Sequence, residues 1–171
     1  MNKSIKFWKV GFFTYNLGEN IPGYIEHELE GKAFNFREFF RTWTGDPERD
    51  FRPLPEGVKK GDFVHDLDVE KFLNVITEES QDSKYPFSSP EFREEFKHTF
   101  WIVPGVKEAK ALSAKLKQHP VFRDYEVINI AGDGDEEKPY NEALTLVKSS
   151  IASFDKTITI SCGKLTTGVT V

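Results

Sequence analysis

The sequence predicts an α/β domain with a parallel sheet, and three observations predict it. Short β-branched runs at Thr99–Val103, Tyr125–Ala131 and Thr157–Cys162 are separated by helical stretches of 10–15 residues. That alternation of strand and helix is the signature of βαβ units. The 171-residue length suits one domain able to bury a core without disulfide or metal staples. A fourth apolar run, Phe7–Leu17 (FWKVGFFTYNL), reads as a further buried strand ending at Gly18, which makes four parallel strands.

Taken in order, Phe7–Leu17 gives way to a loop containing Pro22, Gly23 and Gly31. Asn35 then suits a helix N-cap with Glu38 at the capping-box position. Phe36, Phe39, Phe40 and Trp43 follow at i, i+3, i+4 and i+7, the spacing of one helical face. Thr44–Asp62, with Pro47, Pro53, Pro55 and three glycines, reads as loop. Asp66 or Asp68 can start a second helix with Val69, Phe72, Leu73 and Ile76 inward, fading over Glu78–Lys84. Ser89 before Pro90 marks the start of a third, carrying Phe92 and Phe96 inward.

From His98 the texture changes. Twenty of the 24 aromatic residues lie between Phe7 and Trp101, so the front is aromatic and the back aliphatic. After the Thr99–Val103 strand and its Pro104–Gly105 break, Val106–Gln118 is a helix burying Val106, Ala109, Leu112 and Leu116, with Pro120 beyond its end. Gly132–Pro139 (GDGDEEKP) is an acidic turn. Asn141 suits the cap of a helix over Glu142–Phe154 that turns Leu144, Val147 and Ile151 inward. The chain stops at Val171 in an apolar, β-branched stretch, and the expectation is a piece of a longer protein.

Composition narrows the function classes. A formal charge of −5 disfavours a strongly basic nucleic-acid binder, although backbone amides and hydroxyls still suit local phosphate contacts. A single cysteine, Cys162, excludes an intrachain disulfide and a cysteine-built zinc site. No apolar run spans a bilayer and no export signal opens the chain, so a cytoplasmic address and no membrane partner are expected.

Several motifs fail on spacing. Gly163-Lys164-Leu165-Thr166-Thr167-Gly168 lacks the Walker order, because Ile158 and Leu165 occupy the places of its first glycine and its hydroxyl residue. What remains is a strand ending in a Gly/Thr-rich turn, able to bring amides and hydroxyls to a phosphate. Asp82, Glu95 and Lys97 suggest a small metal-dependent nuclease, yet Glu95 and Lys97 at i, i+2 on a helix point apart. His27, His65, His98 and His119 have no zinc spacing, and Asp133–Glu137 lacks the order of a calcium loop. No metal site is expected. Neither a Gly-x-Ser-x-Gly elbow nor a cysteine nucleophile with a base is present, and Cys162 reads as packing.

Three stretches together go further: His98–Phe122 (HTFWIVPGVKEAKALSAKLKQHPVF), Tyr125–Asp135 (YEVINIAGDGD) and Thr157–Val171 (TITISCGKLTTGVTV). In this order they resemble the second RecA-like motor domain of superfamily 2 helicases, most of all the motor subunit (R protein) of type I restriction enzymes. The first resembles motif IV and its helix, the last motif V. Phe63–Ile76 and Lys84–Phe96 resemble the family's insertion ahead of motif IV.

The resemblance implies a partial RecA-like domain: a helical insertion over residues 18–97 and a motif IV to motif V region over 98–171. It implies an ATP-driven translocase on double-stranded DNA, a restriction hydrolase whose ATP and Mg²⁺ bind in the parent protein and not tightly to this piece. Its partners would be a first RecA-like domain and a nuclease domain of the same polypeptide, with modification and specificity subunits in a type I system. Carried over to motif V, Thr166 and Thr167 would contact phosphate or sugar, and Gly168 would admit close backbone approach. Lys164, Ser161 and Thr159 are further DNA- or nucleotide-contacting candidates.

Thr170 occupies a place where many relatives carry an acidic residue. The Walker lysine loop, the acidic Mg²⁺ box and the arginine of motif VI are all missing, so no catalytic residue is expected and the piece alone should not hydrolyse ATP. The rival reading is a complete non-catalytic interaction domain, with Gly132–Glu137 and the aromatic insertion as its partner surface.

Overall fold

A computed structural model describes residues 35–46, 48, 56–79, 85–132 and 139–162. The predicted strand Phe7–Leu17 lies outside the described residues. Three strands form the sheet, β1 (His98–Ile102), β2 (Glu126–Asn129) and β3 (Thr157–Ser161), in the order β1-β3-β2 with both pairings parallel. The register sets Trp101 opposite Ile160 on one side and Val127 opposite Ile158 on the other. With its flanking helices, the sheet is an α/β arrangement consistent with a partial RecA-like domain.

The helices are α1 (Phe36–Phe39), α2 (Asp66–Thr77), α3 (Pro90–Glu95), α4 (Val106–Gln118) and α5 (Tyr140–Ser153), with a 3₁₀ turn at Phe122–Asp124. The crossover through α4 moves two places along the sheet, and the one through α5 moves back one place. Right-handed connections therefore lay the two helices on opposite faces. Burial agrees, because all five residues of β3 are buried. Ile128 and Ile130 pack with Ala143, Val147 and Ile151 of α5. Their strand neighbour Val127 points the other way, as alternate residues must. It shares the α4 face with Ile158 and Ile160, where α4 buries Ala109, Leu112 and Leu116.

An aromatic nest closes the α4 face. Phe122 is fully buried and meets Phe87 at 4.9 Å, Trp101 at 5.5 Å and Tyr125 at 6.1 Å between ring centroids. Edge-on rings at these separations add specific attraction to the area they bury. The α5 face is different, because α5 does not reach across β1. Phe100 and Ile102 there are 42% and 53% exposed, and Leu146 on α5 is also exposed.

In the front, α1 is shorter than the Phe36–Trp43 stripe predicts. Its cap is as expected, with the Asn35 side chain accepting from the Glu38 amide at 3.1 Å. It ends at Phe39 because the following backbone is taken up elsewhere. Thr42 bridges Phe63 in antiparallel sense, and the Trp43 amide donates to the Asp62 carbonyl at 2.9 Å. A second nest results, with Phe40 centred 4.9 Å from Phe39, 5.9 Å from Phe63 and 6.3 Å from Phe72.

Helix α2 starts at Asp66, one of the two expected starts, whereas α5 starts two residues earlier than expected. His65 takes the N-cap of α2, and Pro139 takes that of α5, two residues before Asn141. Such a shift is the ordinary uncertainty of a helix end. Helix α3 starts as expected, with Ser89 Oγ accepting from the Phe92 amide at 3.2 Å and Pro90 in the first turn. Phe92 and Phe96 are half-buried.

Candidate functional site

In an open parallel sheet the ligand edge is the carboxyl end of the strands, at a place where successive connections leave for opposite faces. Here the chain leaves β1 for the α4 face and β2 for the α5 face, with β3 between them. The described rim consists of Val103–Gly105 after β1, Ile130–Gly132 after β2, and Ser161–Cys162 at the end of β3.

Backbone pairing continues one residue past the named strands. The Val103 amide donates to the Ser161 carbonyl at 2.9 Å, and the Ile130 amide donates to the Ile160 carbonyl at 3.0 Å. Asn129 then fixes the turn that follows: its Oδ1 accepts from the Ala131 amide at 3.0 Å, and its Nδ2 donates to the Gly132 carbonyl at 3.3 Å. Gly132 sits at φ 131°, a conformation that favours glycine.

Across the rim, Gly105 precedes α4 with an extended backbone, so any residue could adopt its φ. Its lack of a side chain matters for another reason. A Cβ there would lie 2.5 Å from Glu108 Oε2. The other oxygen of that carboxylate, Oε1, accepts from Thr42 Oγ1 at 2.9 Å and ties α4 to the front of the molecule.

The motif V candidates divide. Lys164, Thr166, Thr167 and Gly168 lie outside the described residues, as does Asp82 of the nuclease reading. Thr159 and Ser161 lie on the central strand, 3% and 0% exposed, so neither hydroxyl is offered to a ligand at the described surface. Glu95 is exposed at the end of α3. Lys97 is spent on other partners, pairing with Glu94 at 2.9 Å and with Asp155 at 2.8 Å. Among the described residues no group of three His, Cys, Asp or Glu side chains could hold a metal ion.

Lys156 also reaches Glu94, at 2.6 Å. The hydrogen bonds from Lys156 and Lys97 hold the Glu94 carboxyl down at about 2, and those from Lys97 to Asp155 and Glu94 push the ammonium up to about 12. This alternating chain of charges joins α3 to the start of β3, at the edge of the sheet opposite the rim.

A recess of about 1020 Å³ runs between the outer face of α4 and the stretch from Trp43 to Lys71. Lys60, Lys71, Lys107, Lys110 and Lys115 line it, together with Glu56, Asp62, Asp66 and Asp68. Its charges are mixed rather than basic, since Lys115 pairs with Asp66 at 3.0 Å and Lys71 with Asp68 at 3.6 Å. A smaller crevice of about 160 Å³ lies beside Tyr125, Arg93 and Lys156. Among the described residues the buried Tyr125 hydroxyl has no hydrogen-bond partner, and burial pushes it up to about 12.

Two features escape a reading by motif. The bond between Thr42 and Glu108 joins residues 66 apart and has no local signal. The row Asp66, Glu70 and Asn74 on α2 does have one, a polar repeat every four residues, and it faces Lys115 and His119. No family model, curated protein or solved structure matches the chain. Among the described residues, no helix is long and apolar enough to cross a membrane.

Proposed function

We propose that this chain is part of the second RecA-like motor domain of a superfamily 2 DNA translocase, most like the R protein of type I restriction enzymes. One observation carries the reading: β3, the first part of the Thr157–Val171 stretch resembling motif V, is the central strand of a parallel sheet, and its carboxyl end leads into the Gly/Thr-rich remainder of that stretch. That edge is where open α/β sheets meet phosphates.

In this reading the chain binds and positions, and does no bond-breaking of its own. Lys164, Thr166 and Thr167 contact the phosphates of double-stranded DNA or of a nucleotide, and Gly168 lets the backbone approach. Thr159 and Ser161 brace the strand from within. ATP supplies the driving reaction when bound, with Mg²⁺, between this domain and a first motor domain. The cationic and acidic groups of phosphoryl transfer come from the rest of the polypeptide, because the sequence has no Walker lysine loop. The parent's nuclease domain and any modification and specificity subunits complete the restriction system, whose place is the cytoplasm.

One observation favours a second reading, a non-catalytic interaction domain: the uncovered apolar face of β1 at Phe100 and Ile102. A single titration separates the two. Fluorescence anisotropy of labelled duplex DNA should show weak binding that falls steeply with added salt, and Lys164→Ala should flatten the log–log salt slope by about one. The chain alone should turn over no ATP. Absence of duplex binding even at low salt favours the interaction domain, and ATP turnover stimulated by DNA overturns the motor-fragment reading.

A further inference from the structure

Helix α2 is held against α4 by a row of polar side chains. Asp66, Glu70 and Asn74 recur every four residues on α2 and so share one face. They meet Lys115 in the last turn of α4 and His119 at its C-cap. Lys115 Nζ lies 3.0 Å from Asp66 and 3.9 Å from Glu70, and His119 Nε2 lies 3.3 Å from Asn74 Oδ1.

The histidine is fully committed. It is 8% exposed, and its ring lies 4.9 Å from that of Phe122. Its Nδ1 accepts from the Val121 amide at 3.2 Å. A nitrogen that accepts an amide hydrogen carries no proton, so Nε2 is the protonated one and donates to the Asn74 side-chain oxygen.

We infer that His119 is a proton-operated latch on the carboxyl half of α2. A second proton must go to Nδ1, where it would face the Val121 N–H, donor against donor. The imidazolium cannot keep both bonds, and turning the ring away from Val121 also removes the partner of Asn74. The charged groups facing the ring are Glu70 from α2, which favours the cation, and Lys115 from α4, which opposes it. The 3₁₀ turn presents the Val121 amide and the Phe122 ring, and Arg123 there donates its own amide to the His119 carbonyl at 3.0 Å.

Burial is the largest influence and holds the imidazole below its usual value near 6.5. Because the folded value is the lower one, the latch costs nothing above 6.5. Stability is lost as pH falls from there toward the folded value. The Lys115–Asp66 rung makes no contact with the imidazole nitrogens, so protonation of His119 leaves it in place. The helix therefore opens from its Asn74 end while its first turn stays tethered.

Hydrogen exchange on the full chain tests this, with rates corrected for intrinsic pH dependence. Between about pH 7.5 and about pH 5.5, amides of residues 72–77 should speed up several-fold. Those of β2 and β3 should not change. The midpoint should coincide with the titration of the His119 ring followed by NMR. His119→Gln, which can still accept and donate, should abolish the pH step. If that variant does not fold, Asn74→Ala should give fast exchange in α2 at both pH values. The proposal is overturned by equal exchange at the two pH values in the native chain. A step that survives in His119→Gln or Asn74→Ala also overturns it, and points to His65, the other histidine against α2.

Discussion

The strand–helix half of the molecule, residues 98–162, and the aromatic half before it are held together by different means. In the sheet half, a continuous parallel ladder orders the chain and helices of 13 and 14 residues cover it. In the front half, α2 has 12 residues but α1 and α3 only 4 and 6, and the described strand pairing is the single bridge Thr42–Phe63. Helices that short are not stable by themselves. The front is thus shaped by ring packing and by its polar ties to α4. Backbone periodicity organises the sheet half throughout, whereas in the front it organises α2 and side-chain contact shapes the rest.

The sharpest way to break this comparison is to remove one ring from each nest. Phe122 and Phe39 are both fully buried, and truncation of either to alanine should cost about 3–5 kcal/mol in urea unfolding. The distribution should differ. Phe122 touches Phe87 from the front and Trp101 from the sheet, so Phe122→Ala should loosen both halves together. Phe39→Ala should raise amide exchange over residues 36–77 and leave β3 protected. Equal loosening after either substitution would mean that the two halves are one cooperative unit.

The sheet half was largely legible in the sequence for the reason this contrast gives. Valines, isoleucines and leucines recur there at strand and helix periods, and the α4 boundaries at Val106 and Gln118 coincide with the pattern. In the front, the Phe36–Trp43 stripe has a helical period, yet the helix stops at Phe39 because Thr42 and Trp43 bond to Phe63 and Asp62. A contact with residues some twenty positions away leaves no mark in a local window. Of the motif V candidate residues, only Thr159 and Ser161 lie among the described residues. The sequence places Thr159 and Ser161 on a strand, but their burial follows from β3 being central, and strand order is a property of the crossovers.

A smaller effect sharpens the comparison at the junction of the halves. Ser89→Ala removes the acceptor for the Phe92 amide, and the loss should be about 1 kcal/mol. It should be read out locally, as faster exchange in α3 with β1 unchanged.

The smallest effect concerns the charges beside it. The Glu94 carboxyl, held at about 2 by Lys156 and Lys97, contributes stability above its ordinary value of 4.5 and loses it as pH falls toward 2. Because the group is exposed, Glu94→Gln should lower the melting temperature slightly at neutral pH, and added salt should shrink the difference. A difference that persists in high salt would show that the chain of charges acts as a buried structural element.

The Glu108 carboxylate gives the rim of the sheet a mechanical link to the front of the molecule. One of its oxygens sits where a side chain at position 105 would have to go, and the other holds Thr42, the residue that anchors the front's only described bridge. A side chain at position 105 would thus be met by movement of this flexible carboxylate end, at the expense of its bond to Thr42.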